Sequence, residues 1–311
     1  MTIIIGAGMA GLLAAAMMRS EASAVVEAQS AIPNNHSAVL RFRSRVVGDV
    51  INVPFKEVDC LKAVQPYKNP IADAMLYSKK TNGSYTLRSI TSADAKISKR
   101  YIAPPDLIQR MAEACSCEFV FGQKIDLWAI QQNFGARIPM ISTMPMPMLM
   151  DLIGWERRSE FRSIKGTNLR LKAANCEAYC SLYVPDPGYL FSRVSVTGDE
   201  IIAELPGIHS QDIKGDEHET MADAMELLGI DENLPYAEIE VTEQKYAKIL
   251  PIDEQERRQF IVYATEQLGI YSLGRFATWR PGLLLDDVVN DVRVIQRLIR
   301  GESGYAHRLK E

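Results

Sequence analysis

The chain has 311 residues, 47% of them hydrophobic and 24% charged, enough to bury a sizeable core and, by length, to form two domains. A formal charge of −4 leaves no basic footprint, so nucleic-acid binding is not indicated as the main task, although a nucleotide can still occupy a local pocket. Cys60, Cys115, Cys117, Cys176 and Cys180 form an odd set without a CxxC pair, and with four histidines they predict reduced thiols and no metal site.

The apolar start IIIGAGMAGLLAAAMM lacks a basic n-region and a cleavage site, and it is too short and glycine-broken to span a bilayer. A soluble, cytoplasmic protein without a membrane partner is expected. Ile3 to Ile5 read as a short buried strand, Met9 to Arg19 as a helix, and Ala24 to Val26 as a second strand ending in Glu27. Between the first two lie Gly6, Gly8 and Gly11, spaced GxGxxG. Gly6 allows the tight turn, Gly8 lets a pyrophosphate approach the backbone, and Gly11 lets helix and strand pack closely. The helix start at Met9 and Ala10 offers unpaired N–H groups and a positive dipole end to phosphates. Glu27 is placed to accept from a ribose and disfavours a 2′-phosphate, which leaves FAD or NAD rather than NADP. The competing reading is a glycine-rich structural turn.

No further βαβ units follow. A loop leads to RFRSR, where Arg41, Arg43 and Arg45 alternate; on a strand all three share one face. They point either to an anion or to an edge strand kept soluble by charge. LYSKKTNGSYTLRSI predicts a hairpin turned at Asn82-Gly83. A helix is predicted over 104–114, a strand over CEFVFGQKI (117–125), and another strand in IPMISTMPMP after QQNFGAR. A β-rich middle follows in NCEAYCSLYVPDPGYLFSRVSV, turned at Pro185 to Gly188, and in DEIIAEL, with a polar helix over 218–229. The chain closes with ERRQFIVYATEQLG, a strand over 270–273, Gly274-Arg275, and a helix from Leu283 to Arg300; the polar tail GESGYAHRLKE reads as frayed. Met140, Met144, Met146, Met148 and Met150 are read as packing.

This order resembles the FAD-dependent superfamily of amine oxidases, protoporphyrinogen oxidase and UDP-galactopyranose mutase. The likeness covers most of the chain as an order of elements, and only the two ends are specific in residues. It implies an α/β fold with a Rossmann-like, three-layer FAD-binding domain on a parallel sheet (1–35, 101–150 and 251–311) and an inserted β-rich substrate domain (36–100 and 151–250). It also implies FAD at Gly6, Gly8, Met9, Ala10, Gly11 and Glu27, with Ile125 and Thr143 in the two middle strands. Gly274, Arg275, Leu283 and Leu284 stand where relatives meet the flavin end. Many relatives carry Asp after that glycine; the mutase branch carries Gly-Arg followed by aromatics, as Phe276 and Trp279 follow here. Without the N-terminal fingerprint, Arg275 reads first as a surface arginine at a strand end; the paired fingerprint reverses that, because a phosphate needs a cation nearby.

Further roles come from the same resemblance. Arg43 becomes a candidate for the FAD pyrophosphate, and Arg41 and Arg45 for substrate. Lys245, Tyr246 and Lys248 lie on a strand that faces the flavin in relatives and are, with Trp279, the catalytic candidates. Tyr183, Tyr189 and Arg193 are substrate candidates on a sheet, where aromatics also serve as core. The implied activity is oxidation of a C–N bond of amine or amino-acid type, or of a C–C bond, in a small polar substrate. A modified nucleotide bearing an amine is one variant. The partners are a small-molecule substrate and an electron acceptor, oxygen or another, with a homodimer as one candidate assembly. The rivals are non-redox flavin chemistry on a nucleotide sugar, a flavin-free binding protein like the Rab GDP-dissociation inhibitors, and an NAD site in an ordinary dehydrogenase.

Overall fold

The computed structural model describes residues 1–33, 40–86, 95–231 and 238–301. In chain order the first half comprises β1 (Thr2–Ile5), α1 (Met9–Met18), β2 (Ala22–Glu27), β3 (Arg41–Phe42), α2 (Val46–Ile51), β4 (Lys56–Val64), α3 (Pro70–Asn82), β5 (Lys96–Ile102), α4 (Leu107–Glu113), β6 (Glu118–Phe121), α5 (Leu127–Gly135), β7 (Met140–Ser142) and α6 (Met146–Ile153). The second half comprises β8 (Ser163–Lys172), β9 (Ala178–Tyr183), β10 (Arg193–Gly198), β11 (Glu200–Pro206), α7 (Glu217–Leu227), β12 (Glu240–Ile249), α8 (Glu254–Leu268), β13 (Ile270–Ser272) and α9 (Leu285–Ile299).

Five strands form a parallel sheet in the order β13-β7-β1-β2-β6. Its strands alternate between two cores. Ile4, Ile141 and Leu273 join one with α1, α2, α4 and α9, while Ile5, Met140 and Ile270 join another with α5, α6 and α8. A sheet apolar on both sides must be covered on both sides, so the result is three layers. Met140, Met146 and Met150 are wholly buried there, whereas Met148 is 51% exposed.

The second sheet has eight strands in the order β12-β8-β11-β10-β9-β4-β5-β3. One face is apolar: Leu169, Leu171, Val194, Val196, Ile201, Ala203 and Leu205 pack under Ile213 and the Met221, Ala224 and Met225 side of α7. The period of two therefore turns Asn168, Tyr183, Arg193, Ser195 and Glu204 to the opposite face. The parallel sheet takes strands from both chain ends and from 118–142; the second sheet takes its strands from 41–102 and 163–249.

Three expectations fail. The Asn82-Gly83 hairpin is instead the end of α3, whose remaining partner segment in 87–94 lies outside the described residues. Asn69 caps its start by accepting from Ala72 N at 3.0 Å, Pro70 opens it, and Gly83 closes it through N–H to Lys79 O at 2.9 Å. Asn-Gly suits a hairpin, but it also suits a left-handed helix cap, and the Asn-Pro start decides between them. RFRSR is not one strand: β3 stops at Phe42, and Arg45 sits at the start of α2. The strand in IPMISTMPMP stops at Ser142, because Pro145 and Pro147 start α6. The tail from 302 onward lies outside the described residues.

Candidate functional site

The glycine loop between β1 and α1 divides into two packed glycines and one open one. Gly6 has φ of 98° and donates to Val26 O at 2.8 Å; a Cβ there would stand 2.2 Å from Thr143 Oγ1. A Cβ on Gly11 would stand 1.9 Å from Gly6 O, so helix and loop touch backbone to backbone. Gly8 differs, since a Cβ there would meet nothing within 4 Å. It is the N-cap of α1, in extended conformation, with no side-chain cap and no acidic residue in the first turn. An anion can therefore reach this helix end without displacing a protein group. Glu27 lies beneath the loop, accepting from Ala7 N at 2.7 Å and from Gln29 N at 2.9 Å. It fixes the loop, and each carboxylate oxygen keeps a further lone pair.

The C-terminal segment meets the same place. After β13, Gly274 has φ of 89°, and a Cβ on it would lie 2.9 Å from Ala10 Cβ in the first turn of α1. The loop then turns on itself, with Thr278 N and Oγ1 both donating to Gly274 O and Arg280 N to Arg275 O. Arg275 donates from Nε and Nη2 to Pro281 O at 3.1 and 2.7 Å. Trp279 does not face a cleft. It is 2% exposed, packs edge-on to Phe161 and donates its indole N–H to Leu250 O at 2.8 Å, so its polar atom is committed. Leu283 is buried in the first core. Leu284 is the N-cap of α9, and its N–H donates to Asp287 Oδ2 at 2.9 Å. Asp286 accepts from Ser44 N, Ser44 Oγ and Arg43 N.

The polar face of the second sheet lies beyond Arg275. Arg193 and Glu204 are register partners and form an ion pair. The Arg193 guanidinium stands 5.8 Å from the Tyr183 ring centre, Lys62 Nζ 4.9 Å from the same ring, and Lys248 Nζ 5.3 Å from the Tyr77 ring. Tyr77 and Tyr183 meet edge to face at 5.6 Å. Arg41 donates to Cys60 Sγ, Cys180 O and Ser181 Oγ, and Ser181 pairs with Ser195 at 3.0 Å. Burial, and behind it the like charge of Arg193, holds Arg275 below the ordinary guanidinium range; burial is also the leading cause for Arg41, to which Arg193 adds.

The structure brings together Arg41, Arg193, Tyr183, Lys248 and Arg275. It does not bring the other candidates to this face. Arg43 is exposed and engages Asp286 through its backbone, and Arg45 pairs with Asp49 at the surface. Tyr189 packs on Phe191 in the apolar core on the other side of the sheet. Tyr246 stacks near Phe276 at 5.3 Å, with Lys245 above it, and Ile125 packs against the second core. Thr143 closes over Gly6 and donates to Ile5 O. Sequence reading missed Lys62, Tyr77 and Glu204. The alternation of β4 and β11 carried the signal for the first and last, and the hairpin reading hid Tyr77.

Two clefts of about 290 and 540 Å³ flank α8 and α9 and share Arg257, Arg280 and Asp291. They lie away from the glycine loop and their charges are matched internally, Arg257 and Arg258 to Glu254 and Arg280 to Asp291. We therefore place the candidate site between the two glycine segments and the polar sheet face.

No family model and no curated protein matches the sequence. Solved structures do match in fold. Reduced UDP-galactopyranose mutase aligns with a TM-score of 0.69 at 13% identity over 96% of this chain and 93% of that one. A flavin-dependent brominase aligns at 0.57 and 9% identity over 99% and 82%, and aklavinone-11 hydroxylase, in a ternary complex with FAD and aklavinone, at 0.50 and 11% over 96% and 61%. At these identities the likeness is one of fold, a parallel sheet joined to a β-rich one.

Proposed function

We propose that this protein is an FAD-dependent oxidoreductase acting on a small polar substrate, with a C–N bond of amine type as the first candidate for oxidation. The observation that carries the reading is the contact of Gly274 with Ala10 beside the open face of Gly8. Two segments from opposite chain ends thus build one mouth with an uncapped helix terminus in it. The residues fit the group. Gly8 gives the backbone approach for a pyrophosphate, Met9 and Ala10 begin the helix behind it, and the spare lone pairs of Glu27 suit ribose hydroxyls. FAD bound there supplies an electron-pair sink next to the polar sheet face. Arg275 pins the loop through Pro281 O and sets its charge between the mouth and Arg193. The strands outside the parallel sheet then serve as the substrate unit, inserted into the cofactor unit.

The test is reconstitution of the purified protein with FAD, followed by its visible spectrum and dye reduction with candidate amines. Gly8→Val should lower FAD affinity at least about tenfold, roughly 1.4 kcal/mol, with little change in fold. Full occupancy in that variant, or a protein that stays colourless with FAD, refutes the reading. Turnover of a nucleotide sugar without net oxidation would replace the oxidative reading with a mutase-like one.

A further inference from the structure

Among the described residues, the polar face of the eight-stranded sheet gathers more cations than carboxylates. Lys62 and Arg193 stand over Tyr183, Arg41 and Arg275 lie within reach of the Arg193 charge, and Glu204 is the carboxylate that the described ion pairs place among them. A purely structural arginine is normally paired with a carboxylate when half-buried. Arg41 instead bonds to a thiol, two carbonyls and a hydroxyl, and Arg275 to one carbonyl. Lys80, at the edge of the same region, donates to the carbonyls of Val184 and Asp186. Neutral acceptors hold Arg41 and Arg275 in place but leave their charge uncancelled, whereas Asp186 partly offsets Lys80. Arg193 is paired through Nη2, yet its Nε is buried without a hydrogen-bond partner among the described residues.

Folding has brought like charges together at a cost in repulsion, on the face of the sheet opposite α7, where α3 covers the Val64 and Tyr183 end. Arg fits planar carboxylate and phosphate oxygens in pairs, and the Tyr183 ring, backed by the buried Tyr77, adds a flat apolar wall beside them.

We propose that this face is an anion subsite, in which Arg193, Arg41 and Lys62 hold a carboxylate or phosphate group of the substrate while the half-buried Tyr183 packs against its body. The assignment rests on the reading of this face as the floor of the substrate cleft. It says that the substrate is anchored by its negative end, which leaves the end to be oxidised directed toward Arg275 and the glycine mouth.

The test is calorimetric titration of the intact, FAD-incubated protein with inorganic phosphate, pyrophosphate and benzoate. The three probes separate phosphate from carboxylate, and the ring of benzoate reports the tyrosine wall. Binding of at least one probe is expected, weakening as salt rises. Lys62→Gln should weaken it by about fivefold to tenfold, and the paired change Arg193→Gln with Glu204→Gln, which leaves no lone buried charge, by more than tenfold, roughly 1.4 kcal/mol. Circular dichroism and FAD occupancy should stay unchanged in both. Absence of binding by all three probes overturns the assignment, and so does equal affinity in the wild type and both variants. Anion binding lost in these variants by a protein that never takes up FAD would keep the subsite and sink the flavin reading. FAD uptake without anion binding would do the reverse.

Discussion

The helices α1 and α9 pack in one core, yet their first turns are built in opposite ways. Gly8 caps α1 with no side chain, and the turn carries no acid; Asp286 and Asp287 crowd the first turn of α9, and Asp287 caps its own N-cap residue. A helix start attracts one negative charge well. At α9 the protein supplies that charge itself, and at α1 it leaves the place to a ligand. The positive end of α9 is therefore met by its own carboxylates, and α1 is the end suited to phosphate.

The largest effect that bears on this contrast is structural. Gly11→Ala should destabilise the fold by about 3 kcal/mol in chemical denaturation, because its methyl would meet Gly6 O. A loss under about 1 kcal/mol would show that the loop is softer than its packing implies. Next comes Gly8→Asp, which puts a carboxylate at the start of α1, as Asp286 and Asp287 do in the first turn of α9. It should stabilise the fold by about 0.5–1 kcal/mol while lowering FAD affinity at least tenfold, roughly 1.4 kcal/mol. Stability and binding moving in the same direction would break the comparison. Asp287→Ala should cost about 1 kcal/mol of stability and leave FAD affinity within about twofold. A large loss of flavin binding there would move the anion site to α9.

The smallest effect tests the same rule away from both helices. Burial, partly offset by Asp186, lowers the Lys80 ammonium from 10.5 to about 8. The unfolded chain then binds this proton where the folded one does not, so the stability of the wild type should rise from pH 8 to 10.5 relative to Lys80→Met and stay level below that. A flat difference across the range would show Lys80 to be solvated.

Much of this was legible locally. Glycine spacing, the apolar triplets of β1 and β13, and the acidic end of β2 each announce their element within a few residues. The faces of the second sheet were not, because they depend on pairings between distant segments, such as β4 beside β9 in parallel. Tyr183 and Tyr189 are six positions apart and look alike in the sequence; one lines the polar face and the other fills the core, and only the strand end and the turn between them decide it. Asn82-Gly83 was ambiguous for a different reason, since the same dipeptide serves two turns of opposite consequence.

The contact between Gly274 and Ala10 also bears on the order of events during synthesis. β1 lies inside the parallel sheet, between β2 and β7, and α1 shares its core with Val288, Val289, Val292 and Ile295 of α9. α1 thus waits for α9, more than 260 residues later in the chain (Met18 to Leu285), to complete its core. Such pairing at long sequence separation slows folding and leaves apolar surface open meanwhile. A chain stalled before residue 285 should hold the complete GxGxxG sequence and still fail to load a nucleotide, which makes cofactor uptake a late, whole-chain event.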